Sequence, residues 1–217
     1  MRKNTKFLFV ALAGLMISSC AGEIESKDTA EIDVKKAETC LYSYSAESSE
    51  LKFTAYKFLG KTGVGGAFTE IKVEGGEENE SDLKVIEELS FEIPVTSVST
   101  NNEDRDGKIQ EHFFGQINTA TITGKVVSIE EGGKSAILMI TMNGVSNEVR
   151  GDYTLSDGAF TYDTEINVFD WQAEKGIEKL NEVCKDLHTD YANGDTESKL
   201  WPDVTLSFTT QLKKNCN

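Results

Sequence analysis

Phe91-Glu-Ile-Pro-Val-Thr-Ser-Val-Ser-Thr100, followed by Asn101-Asn-Glu-Asp-Arg-Asp-Gly-Lys-Ile-Gln-Glu-His-Phe-Phe114, is the stretch that decides the fold of this 217-residue chain. Leu89, Phe91, Ile93 and Val95 alternate with Ser90, Glu92 and Pro94. That period of two belongs to a half-buried strand. Pro94 lacks a backbone donor, which puts an edge or a bulge there. The polar run from Ser99 to Asp106 ends the strand. Ile109 and Phe113 stand four apart, with Phe114 beside them and Gly115 next. This reads as a short amphipathic helix with a glycine stop.

The flanking sequence is mostly strands. Upstream, Tyr42 to Ala46 and Leu51 to Phe58 alternate. Gly60, Gly63, Gly65 and Gly66 mark a turn and a bulge-prone strand start. Ile71 and Val73 suggest a register change, and Gly75 to Asp82 reads as an acidic loop. Downstream, strands are expected at 119–130, 135–142, 147–155 and 160–171. Glu131-Gly-Gly-Lys134 and Ser156-Asp-Gly-Ala159 supply the positive φ of tight hairpins. Residues 136–142 are apolar on both faces, so something must cover the outer one. A helix over 173–187, with Ile177, Leu180, Cys184 and Leu187 on one side, is the candidate. Val204, Leu206 and Phe208 alternate in a last strand. The sum is a mainly β chain: an antiparallel barrel of about eight strands with one long and one short helix. Such a barrel is either filled by side chains or holds one small ligand.

The order of the motifs carries a resemblance. A strand ending Ser-Val-Ser-Thr-Asn-Asn passes an acidic residue, Arg105 and Asp106, and closes in a helix ending Phe-Phe. This resembles the signature of the YceI-like family, secreted bacterial proteins with a lipocalin-like barrel. Leu51-Lys-Phe-Thr-Ala-Tyr-Lys57 with Val64-Gly-Gly-Ala-Phe68 looks like that family's opening hairpin. Gly144-Val-Ser-Asn-Glu-Val149 looks like its central turn, and Asp203 to Leu212 its closing strand. The resemblance covers roughly residues 42–215. It implies a cavity enclosing a long apolar, isoprenoid-like or fatty-acyl lipid, with no other cofactor. Phe53, Phe68, Phe91, Phe113, Phe114, Phe169, Trp171 and Phe208 would line or cap that cavity. Arg105 would meet a lipid head group at its mouth; the plainer role for Arg105 is a salt bridge within the turn of Asp104 and Asp106.

The N-terminus resembles a lipoprotein leader. Arg2, Lys3 and Lys6 precede an apolar core too short to span a bilayer comfortably, ending Ile17-Ser-Ser-Cys20. The resemblance to a lipobox makes residues 1–19 a signal peptide and Cys20 the acylated first residue, anchored by its chains at roughly 0.8 kcal/mol per buried CH₂. With Ala21 next, family analogy points to the outer membrane of a bacterial envelope. Residues 20–39 read as a flexible tether without aromatic residues, and 40–217 as the barrel domain. Removing residues 1–19 takes the formal charge from −15 to −18. Such a surface repels nucleic acid and anionic head groups.

With Cys20 assigned to lipid, Cys40, Cys184 and Cys216 remain, an odd number for an oxidising compartment. In a meander barrel the first and last strands are antiparallel neighbours, which favours Cys40–Cys216 and leaves Cys184 in the helix's apolar face. Cys40–Cys184 is the rival. Catalytic and metal signals are weak, so neither an enzyme nor a metal site is expected. His112 and His188 stand apart from any ligand-spaced cluster. Asn102, Asp104, Asp106 and Gly107 look like the start of a calcium loop, yet Phe113 stands where a bidentate Glu belongs. The alternative to a lipid carrier is a filled barrel acting on protein partners, themselves unidentified, through acidic loops at 74–88 and 189–200.

Overall fold

The chain is described from Thr39 onward: the structure, a computed structural model, describes residues 39–217. The expected signal peptide, Cys20 and, apart from Thr39, the expected tether lie outside the described residues.

Strand β1 (Cys40–Ser43) leads through a 3-10 turn to β2 (Glu50–Lys57) and β3 (Thr62–Phe68). Then come β4 (Lys72–Glu74) and helix α1 (Asp82–Glu87). α1 corrects the reading of 74–88 as an acidic loop. The Ser81 side chain caps the Lys84 amide, and Val85 and Ile86 are fully buried. Two apolar residues among acids are too few to show a period, yet they suffice to dock one turn and a half on a core. The deciding stretch forms β5 (Ser90–Pro94), a 3-10 turn at Val95–Ser97, and β6 (Val98–Ser99).

Helix α2 (Glu103–Ile109) starts earlier than expected, because the Asn102 side chain accepts from the Arg105 amide at 2.9 Å and caps it. It runs on into a π-helical turn at Gln110–Phe114, closed by Gly115 N–H donating to Gln110 O at 2.9 Å. The extra residue in that turn lets consecutive Phe113 and Phe114 both point inward. They are buried, with ring centroids 4.9 Å apart at 75°.

Four long strands follow: β7 (Thr121–Ile129), β8 (Ser135–Met142), β9 (Val145–Ser156) and β10 (Ala159–Asn167). Asn143-Gly144 and Asp157-Gly158 form the two-residue hairpins, each with both φ values positive. A 3-10 turn at Val168–Trp171 replaces the end of the expected strand over 160–171, and α3 (Glu174–Val183) follows, then a 3-10 turn at Lys185–His188. β11 (Leu200–Gln211) and β12 (Lys213–Cys216) end the chain.

The main sheet is antiparallel in the order β4-β5-β7-β8-β9-β10-β11-β2-β3-β6. Its two ends are the same two chain segments. β4 continues β3, and β6 continues β5. Lys72–Glu74 pair with Ser90–Glu92, while Ala67 and Phe68 pair with Ser99 and Val98. Between these ladders Thr69 donates from its amide to Ser97 O at 2.9 Å. Eight strand positions therefore close into a barrel, with β5 and β6 as the seam. Pro94 fits this geometry. Val95 donates to Ala120 O and Leu89 O accepts from Val126, so the odd-numbered residues face β7. Pro94 turns its donorless nitrogen the other way, past Glu92, where β4 pairing has ended.

Each end of the barrel has its own plug. At one end α1 and Leu89 pack with Ile129, Tyr153, Phe160, Tyr162 and Leu212. β1 and β12 form a small second sheet there, with Cys40 opposite Cys216 and a disulfide between them. At the other end Phe113, Phe114, Trp171 and Ala173 pack over Ile140 and Met142. α3 contacts β11 and the π-helical turn. It does not cover the outer face of β8, whose Ile137 and Met139 stay partly exposed; the helix serves as a roof instead. Gly176 permits this, since a Cβ there would lie 2.7 Å from Phe113 Cδ2.

Candidate functional site

The inward side chains of the strands do not fill the barrel. A cavity of about 320 Å³ lies beneath α2 and α3, and a second of about 140 Å³ lies deeper. Phe68, Ile122, Met142, Ile166 and Leu206 border both, so the two are consecutive chambers of one apolar interior. The deeper chamber carries only apolar surface on its wall.

Strand alternation positions the wall. Phe53 on β2 leans over Gly66 of β3, where no side chain competes, and meets Phe68 with centroids 5.6 Å apart. Phe53, Phe68, Phe113 and Phe114 line the larger chamber; Phe68, Phe91 and Phe208 line the deeper one. Trp171 is buried outside both, with its indole N–H donated to Ile140 O at 3.0 Å. Phe169 is 39% exposed and borders neither chamber. Aliphatic residues complete the wall, among them Ile109, Ile177, Leu180 and Val204. Their alternation on β11 and helical spacing on α3 were present in the sequence, but nothing there separates a wall from a packed core.

Polar groups gather at one rim of the larger chamber. α2 brings Arg105 and Lys108; β2 brings Lys57. Arg105 donates from Nε to Thr100 Oγ1 and from Nη2 to Thr100 O, both at 2.7 Å. Thr100 N–H in turn donates to Asp106 at 2.8 Å. Arg105 thus reaches Asp106 through Thr100, and it makes no ion pair among the described residues. The expected bridge within the turn goes instead to Lys108, which meets Asp104 one helical turn away. That contact raises the Lys108 pKa. The supposed calcium loop is therefore spent on capping and pairing. No group of three or more His, Cys, Asp or Glu among the described residues is placed to hold a metal ion.

α3 and the turn after it border the same rim, where Lys57 Nζ donates to Leu187 O at 2.8 Å. Cys184, Leu187 and His188 line the chamber here. Cys184 is a free, buried thiol, and burial raises its pKa against the pull of Lys108. His188 is 9% exposed, and burial together with the charge of Lys57 lowers its pKa to about 4. Its Nδ1 lies 3.0 Å from Asn181 Oδ1. His188 had no sequence signal as a wall residue: a lone histidine near a helix end has many uses, and only the tertiary fold brings it over β11.

A model of the YceI-like domain matches residues 42–212. Among solved structures, a polyisoprenoid binding domain from Saccharophagus degradans, implicated in plant cell wall breakdown, superposes with a TM-score of 0.56 at 15% identity, covering 82% of this chain and 99% of its own. BcnA of Burkholderia cenocepacia gives 0.50 at 12% identity, covering 79% and 99%. At these identities the likeness is one of fold. No curated protein matches the sequence.

Proposed function

The chain belongs to the YceI-like domain family, and we propose that it is an envelope lipoprotein holding a long apolar lipid, isoprenoid or fatty-acyl, inside its barrel as carrier or sequestering protein. The observation that carries this is the pair of adjoining apolar chambers, with the charged side chains lining only the larger one. The larger falls within the 300–1,000 Å³ range of small-molecule sites. Burial of the chain drives binding, at roughly 25 cal/mol per Å² removed from water. Arg105 is the head-group residue in this reading. Among the described residues its Nη1 group has no partner, while Thr100 holds the guanidinium in place. The description of the Saccharophagus degradans domain as polyisoprenoid binding supports the ligand class. The leader-like residues 1–19, Cys20 and the tether over 20–39 support the anchored placement, which mass spectrometry of membrane fractions tests.

The test is native mass spectrometry of residues 39–217, which form a compact unit, followed by solvent extraction. A stoichiometric co-purifying lipid is expected. A protein that arrives empty and ignores added isoprenoid and fatty-acyl lipids would overturn the reading.

A further inference from the structure

We infer that His188 is a hydrogen-bond acceptor inside the larger chamber that selects lipids bearing a neutral donor, of which a hydroxyl is the simplest. This deepens the lipid-binding reading and rests on it.

The inference starts from Asn181. Its amide nitrogen donates to Ser198 Oγ at 3.1 Å and Ser198 O at 3.4 Å, so its Oδ1 is the atom turned to the imidazole. An amide oxygen only accepts, so His188 Nδ1 must carry the hydrogen. Nε2 is then a bare lone pair. No donor among the described residues reaches it, while every fully enclosed side-chain nitrogen or oxygen among them has a partner. Nε2 therefore keeps accessible surface, on a residue that is 9% exposed and lines the chamber.

The surroundings fix which ligand suits it. The ring is neutral at ordinary pH, held so by burial and by Lys57, so it offers an anion no charge. Tyr56, also on the wall, has its hydroxyl engaged with Thr205 at 2.7 Å. A hydrocarbon covering Nε2 would strip its water and return nothing. A hydroxyl gives its hydrogen to Nε2 and leaves its oxygen free to accept. A phosphate dianion satisfies donors only.

Two probes separate these cases: geranylgeraniol and its O-methyl ether, which keeps the chain and the oxygen but lacks the hydrogen. Binding to residues 39–217 is followed by fluorescence of Trp201, which borders the chamber. The wild-type protein is expected to prefer the alcohol roughly ten- to hundredfold. His188→Phe, which keeps a ring and removes the acceptor, is expected to abolish the preference. Equal wild-type affinities would overturn the inference without any variant. A preference surviving in His188→Phe would also overturn it. Failure of both probes to bind would sink the lipid-cavity reading and this inference together.

Discussion

His188 combines burial, a fixed tautomer and a depressed pKa in one side chain. The unfolded chain takes up its proton near the ordinary value of 6.5, the folded chain only near 4. The neutral form is the one the fold favours. Its contribution is complete above pH 6.5 and is lost as pH falls from there toward 4. The slope is at most about 1.4 kcal/mol per pH unit. Urea titrations of wild type and His188→Phe at pH 7 and pH 4.5 are expected to show the wild type losing about 1–2 kcal/mol relative to the variant. An unchanged difference would mean that the ring is solvated in the folded state.

At the scale of elements, the sequence was most legible where one physical rule acts alone. β8 was read to the residue because its apolar run is bounded by a diglycine turn on one side and Asn143-Gly144 on the other. The Cys40–Cys216 pairing followed from strand order and is present, although the two cysteines sit on a separate two-stranded sheet rather than on the barrel wall. The helix over 103–114 was seen only by its apolar end. Its first turn is all polar, and the Asn102 cap competes in sequence with an ordinary turn. α1 was missed for want of a period, and the role of α3 was misassigned because an apolar stripe does not say which surface it meets. The site followed the same pattern: six of the eight aromatic candidates border a chamber, while the polar rim depended on contacts far apart in sequence. The disulfide joins the end of the barrel opposite the polar rim. Cys40→Ser is thus expected to lower stability by roughly 2–4 kcal/mol, measured by denaturant titration, with lipid affinity retained. A matching loss of lipid affinity would show that the two ends are coupled.

For the whole molecule, the decisive contact is the longest-range pairing of the main sheet. β11 lies between β10 and β2, pairing Thr205–Thr209 with Glu50–Thr54. A chain ending at Lys199 keeps most of its strands but leaves β2 and β10 as unpaired edges. It is expected to lack a cooperative thermal transition by circular dichroism; a sharp transition would show that the ring tolerates the gap.

That arrangement sets a schedule on the ribosome. The β2–β3 hairpin ends at Phe68, yet its outer edge waits for about 130 residues of synthesis before Leu200–Gln211 arrive to cover it. Cys216, on β12, comes later still. Ring closure and the covalent lock therefore wait on β11 and β12, and until these emerge the protein is a sticky, half-built sheet that must be kept from its neighbours.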